Sequence, residues 1–223
     1  MLPRYENKLI EIRGMISVLL SQIILSSEET LTAFEHNKHD LFENSRTYVK
    51  NLQSDTNKID NEIIKTFALF GPEADELRLL VAYLKMTNEI ERIGDGIKKY
   101  SRRLQEHCMG GCDMSIITQA IIQLHKTTIN ALQYILECLN NIETCDADDT
   151  YRKVMVEESK NDDLFSIMEK ELLNLIIDAN ELAVEYVKVL GTLRKLERIG
   201  DRTVNIASLM LYAQKGGELN LHS

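Results

Sequence analysis

The sequence predicts an all-α protein: two tandem, similar antiparallel three-helix bundles built from six long helices. Three observations carry this. Apolar residues recur at steps of three and four almost throughout, the signature of amphipathic helices. Only two prolines occur in 223 residues, so little interrupts a helix. The pentapeptide Glu-Arg-Ile-Gly-Asp occurs twice, at 91–95 and 197–201, at matching points of two halves.

The elements follow in order. The first helix is predicted from about Tyr5 to Phe34, with Leu9, Ile12, Ile16, Leu19 and Ile23 in its seam. The second runs from about Asp40 to Phe70 on Phe42, Val49, Leu52, Ile59, Ile63, Phe67 and Phe70. Gly71-Pro72 ends it, because proline disfavours helix in the residue before it. The third spans about Glu73 to His107, on Ile90, Ile93, Ile97, Tyr100 and Leu104. Gly110-Gly111 then breaks the pattern and divides a first bundle (1–109) from a second (113–215). The fourth helix covers about Asp113 to Ile142. The acidic turn Asp146-Ala147-Asp148-Asp149 leads into the fifth, about Tyr151 to Asp178. The sixth spans about Glu181 to Gln214, on Val189, Leu193 and Leu196, and Gly216-Gly217 ends it. Three helices followed by three more form an internal repeat. Short connections make neighbours antiparallel. Helices of this size are about 45 Å long, and the two bundles should pack side by side.

Composition narrows the function. A hydrophobic content of 44% supports a real core. The 26 basic residues against 35 acidic ones give −9, which argues against nucleic acid as the main partner. No stretch reaches the 18 or so unbroken apolar residues of a membrane helix. The most apolar run, Met15 to Leu25, is broken by Ser17, Ser21 and Gln22. The N-terminus lacks the basic-then-apolar pattern of a signal peptide. The expectation is a cytoplasmic protein without membrane insertion, able to touch a membrane protein peripherally. Its cysteines, Cys108, Cys112, Cys138 and Cys145, are then expected to stay reduced. The Cys108–Cys112 spacing matches no common zinc pattern.

The repeated pentapeptide places Glu91 and Asp95, and again Glu197 and Asp201, one helical turn apart on one face. The apolar seams lie well away from both pairs. Further acids sit on the preceding helix of each half: Asp60, with Asp55 nearby, and Glu158 with Asp162. Carboxylates converging from two helices suit a hard or borderline cation such as iron(III), manganese, magnesium or calcium. Gly94 and Gly200 each interrupt a strong helix at a cost of about 1 kcal/mol against Ala. They imply close approach of a backbone or a ligand. The competing reading is a solvated charged face, with Arg92 and Arg198 neutralising the acids. None of the histidines (His36, His39, His107, His125, His222) follows a Glu at three residues, which excludes the ferritin-like di-iron pattern. With no phosphate loop, GxSxG or HExxH, no catalytic residue is assigned.

At these residues the chain resembles the PhoU family, the phosphate-specific transport system accessory proteins. The resemblance covers nearly the whole chain. It rests on Gly71-Pro-Glu-Ala-Asp-Glu-Leu-Arg78, Leu84-Lys85 and Glu91-Arg-Ile-Gly-Asp95 in the first half. In the second it rests on Leu196-Glu-Arg-Ile-Gly-Asp201 and Asn205-Ile-Ala207. The resemblance implies multinuclear metal sites on Glu/Asp-x-x-x-Asp motifs, iron first. It assigns Glu158, Asp162, Glu197 and Asp201 to a second-half site. Glu91, Asp95 and Asp60 belong to a first-half site. The departures are Thr56 four residues before Asp60, Lys99 as counterpart of Asn205, and Asp178-Ala-Asn180 where a proline-led turn would stand. By the same resemblance the protein is not an enzyme but a negative regulator of phosphate uptake and starvation signalling. It would act at the inner membrane face on a phosphate ABC transporter and a sensor histidine kinase, with a homodimer among its allowed assemblies. The alternatives are a metal-independent adaptor for another phosphate carrier, or a metal-storage or hydrolytic protein.

Overall fold

The computed structural model describes residues 3–110, 113–178 and 181–217. Gly111, Cys112, Ala179, Asn180 and His222 lie outside them. Among the described residues the chain is helical with no strand. The helices are α1 (Pro3–Glu35), α2 (His39–Thr47), α3 (Leu52–Phe70), α4 (Ala74–Met109), α5 (Thr118–Asn140), α6 (Ala147–Asp178) and α7 (Ala183–Lys215). The first bundle is α1 to α4 and the second is α5 to α7. The apolar seams are buried as the spacing requires: Ile12, Ile16, Ile23, Ile90, Ile93, Ile97, Leu193 and Leu196 are all inaccessible.

Helix ends differ from the expectation where side chains capture the backbone. The second expected helix is two pieces, α2 and α3, joined by a turn at 48–51. The Ser45 hydroxyl donates to the Phe42 carbonyl at 2.8 Å, and Thr47 to the Asn44 carbonyl at 2.7 Å. Such bonds offer the backbone an alternative to helix. Asn51, at φ −100° and ψ 10°, completes the bend. The bend keeps Val49 and Leu52 both in the core. Asp113 accepts the Ser115 backbone N–H at 2.9 Å, which delays α5 to Thr118. Conversely, Asp146 accepts the Asp148 N–H at 3.0 Å and α6 starts at Ala147, earlier than its apolar pattern. Asp148 and Asp149 in its first turn suit the helix dipole. Gly71, at φ 54°, closes α3 by donating its N–H to the Phe67 carbonyl.

One hydrophobic core runs through both bundles, from Tyr5 to Met210. The halves meet side by side, α1 against α5 and α4 against α7. Polar pins cross this junction. Ser27 Oγ lies 2.8 Å from His125 Nε2, and His107 Nε2 lies 2.9 Å from Thr192 Oγ1. Arg202 donates to Glu89 at 2.8 Å. By length and composition α1 is apolar enough to cross a membrane, but half of its most apolar window is buried inside the bundle. Its apolarity is what a core helix facing four neighbours, α2, α3, α4 and α5, needs.

The cysteine expectation is corrected. Cys138 and Cys145 are bonded, because the turn after α5 brings their Cα atoms to 5.2 Å, within disulfide range. Compartment reasoning gave no weight to this proximity. Cys108 is free and half-buried.

Candidate metal centre

The second-half acids come from α6 and α7, packed along their length. Glu158 and Asp162 sit one turn apart on α6, and Asp201 faces them from α7. One carboxylate oxygen from each of the three lies within 4.8 Å of the others. Two oxygens each about 2.4 Å from a shared cation lie at most about 4.8 Å apart, so this trio has the size of a mononuclear site. Glu197 is the fourth acid the sequence assigns. It is not within that trio, but its Oε2 is buried with no hydrogen-bond partner among the described residues. Burial raises its carboxyl above the ordinary range, and the charges of Asp201 and Asp162 raise it further, against Arg194 and Arg198. Burial and neighbouring Asp163 also raise Asp162. Carboxyls pushed up by burial and by one another favour whatever brings positive charge.

The site is backed by Asn161, buried beneath it on α6. Its amide donates to Thr127 at 3.3 Å and Thr128 at 3.1 Å on α5, while its Oδ1 is buried without a partner. A Cβ on Gly200 would come within 3.3 Å of this side chain. Sequence reasoning missed Asn161. Its signal was a polar residue at a seam position, in step with Val154, Phe165, Met168 and Leu172.

The first half is assembled differently. Asp60 and Glu91 are neighbours: burial and the Glu91 charge both raise the Asp60 carboxyl, and Asp60 Oδ1 is buried unpaired. Thr56, standing where an acid was sought, donates to Glu91 Oε2 at 3.0 Å. Asp95 is turned out, 55% exposed, and pairs with Lys99 at 3.8 Å. Asp55 pairs with Lys58 at 2.7 Å. The structure thus gathers Asp60 and Glu91 and leaves Asp95 and Asp55 aside.

The two glycines have a packing cause. A Cβ on Gly94 would lie 2.7 Å from Leu52 and 3.2 Å from Ile23. The close approach read from the sequence is made by side chains, Leu52 at Gly94 and Asn161 at Gly200, not by a ligand. The carboxylates therefore stand on their own geometry. Oxygen-only ligation by three or four acids suits a hard cation.

Comparison with known proteins gives one consistent answer. A family model described as "PhoU domain" matches residues 16–104 and 121–210. A PhoU homolog of Pseudomonas aeruginosa is 26% identical over 161 residues, 72% of this chain and 64% of that protein. The phosphate-specific transport system accessory protein PhoU of Escherichia coli K12 is 24% identical over 213 residues, 96% of this chain and 86% of that protein. The match spans just under two thirds of the P. aeruginosa relative and 63% of an Edwardsiella tarda one. Among solved structures, PhoU from P. aeruginosa superposes with a TM-score of 0.85 at 23% identity, covering 96% of this chain and all of that one. The regulatory protein PhoU from Streptococcus pneumoniae gives 0.80 at 17% identity, covering 97% and 100%.

Proposed function

Because this chain belongs to the PhoU family, we propose that it is a metal-binding, non-enzymatic adaptor that restrains phosphate uptake and phosphate-starvation signalling. The relatives' names place them as accessory proteins of a phosphate-specific transport system. For this chain the partners would be a phosphate ABC transporter and a sensor histidine kinase, met at the cytoplasmic face of the membrane.

The observation that carries the metal reading is the convergence of Glu158, Asp162 and Asp201 within 4.8 Å, with the buried Glu197 oxygen beside them. An iron, manganese, magnesium or calcium ion there would offset the burial and the repulsion that raise Glu197, and would tie α6 to α7. That would set the charge and rigidity of one outer face of the second bundle, making docking conditional on metal. The first half, with Thr56 in place of an acid and Asp95 drawn to Lys99, would bind a cation more weakly.

A non-enzymatic reading fits the Ser27–His125 pair, one of two buried hydroxyl–imidazole pairs between the halves. Ser27 and His125 are both inaccessible, and His125 Nδ1 has no hydrogen-bond partner among the described residues. A nucleophile needs access and an oriented base, and this pair has neither.

The test is phosphate uptake and starvation-gene expression in a deletion strain grown in excess phosphate. Derepression reversed by the intact chain supports the regulator reading. Complementation by a Glu158→Ala, Asp162→Ala, Asp201→Ala variant that no longer binds metal would replace it with a metal-independent adaptor. No derepression would overturn the regulator reading.

A further inference from the structure

The chain carries a net −9, yet one groove reverses that sign. It lies where the halves meet, between α4 and α7, and encloses about 360 Å³. Arg92 and Lys99 line it from α4, and Arg194, Lys195, Arg198 and Arg202 from α7, with Asp95 as its one acid. Four of these six cations are held by acids at or beyond the rim. Arg202 bonds Glu89 at 2.8 Å, Arg92 lies 3.8 Å from Glu89, and Lys99 lies 3.8 Å from Asp95. Arg194 meets Glu169 at 3.2 Å. Lys195 and Arg198 complete the set on α7. Burial lowers the Lys195 ammonium below its ordinary range, and Arg103, Lys99 and Arg198 lower it further. These cations repel one another in the free protein.

The floor is also built for space. Gly96 lets α4 approach Ile199 of α7, whose side chain would lie 3.0 Å from an added Cβ. Gly191 has no such reason: a Cβ there would meet nothing within 4 Å, and Ala would favour the helix by about 1 kcal/mol. What Gly191 leaves is open groove.

Three features define the ligand. Several cations from two helices exceed what one small monoanion can engage. Four of the six are arginines, whose planar forks match phosphoryl oxygens in bidentate fashion. No aromatic side chain lines the groove, so it offers no platform for a nucleobase. We propose that this groove binds a short inorganic oligophosphate, laid along the α4–α7 seam with Lys195 and Arg198 at its centre. The proposal does not rest on the metal reading, since none of Glu158, Asp162 and Asp201 lines the groove.

The test is calorimetric titration of the full-length, metal-stripped chain with sodium tripolyphosphate. Sulfate and a poly-glutamate peptide serve as comparators. Saturable binding by tripolyphosphate, at least tenfold tighter than sulfate, is expected. Lys195→Gln with Arg198→Gln should weaken it at least tenfold, while Lys58→Gln with Lys65→Gln, on α3, leaves it unchanged. Gly191→Leu fills the groove without altering charge and should weaken binding too. If the double variant fails to fold, this second variant decides. Equal affinity across all variants, no saturable binding, or tighter binding of the acidic peptide would overturn the proposal.

Discussion

Replacing Asp162 by asparagine should move stability in opposite directions with and without metal. In chelator, the variant removes one negative charge from within 4.8 Å of two others, on Glu158 and Asp201. At that separation two like charges repel by about 0.9 kcal/mol at the dielectric of water. Two such pairs give about 2 kcal/mol, which exposure and salt screening reduce to about 1 kcal/mol. For a chain of this size that is a melting temperature about 2–4 °C above wild type. With manganese or iron at a hundredfold excess over its dissociation constant, wild type gains about 2.7 kcal/mol. The variant, short of a ligand, gains little. The order of the two proteins should therefore cross between chelator and metal. Thermal melts of both proteins under both conditions read this directly. A variant less stable than wild type in chelator, or stabilised by metal as strongly as wild type, would falsify the idea that these acids repel one another and share an ion.

Other outcomes follow from packing and titration. Gly94→Ala drives a Cβ to 2.7 Å from Leu52 and should cost about 1–2 kcal/mol, whereas Gly191→Ala meets nothing within 4 Å and should gain about 0.5–1 kcal/mol in urea unfolding. His125 is fully buried and held neutral, its imidazole pushed down to about 3. The unfolded chain takes up that proton below about pH 6.5 and the native chain does not, so stability present above pH 6.5 is lost as pH falls toward 3, by up to about 1.4 kcal/mol per pH unit. His125→Gln should flatten that slope, and an unchanged slope in urea titrations at pH 7, 6, 5 and 4 would assign it elsewhere. Glu89→Ala leaves Arg202 and Arg92 without their shared acid between the halves and should cost about 2 kcal/mol, read in the same titrations.

How much was legible beforehand depends on whether a feature is periodic. The helical seams obey the 3.6-residue period, so the sequence alone places Ile12, Ile63, Ile97 and Leu196 inside. The break at 48–51 was not visible, because Ser45 and Thr47 act through local hydroxyl bonds that leave the apolar pattern intact. Spacing alone put Glu158 with Asp162, and Glu197 with Asp201, on shared faces. Whether the faces meet depends on the register of α6 against α7, which no local pattern encodes. The same gap separates Asp60 and Glu91, which are neighbours, from Asp95, which is not. Gly94 and Gly200 were read as places where a backbone or a ligand comes close, whereas the side chains of Leu52 and Asn161 make the contact.

The pins across the junction bear on how such a repeat behaves as a molecule. Ser27 bonds to His125 and His107 to Thr192, and none of these four bonds a copy of itself. Two first halves brought together would bury hydroxyls and imidazoles facing the wrong neighbours. The duplicated halves have become lock and key rather than interchangeable parts. A chain severed near Gly110 should rejoin only with its complement, and exchange of halves between molecules would have to reproduce the same heterotypic pairing. What began as symmetry now works as an address.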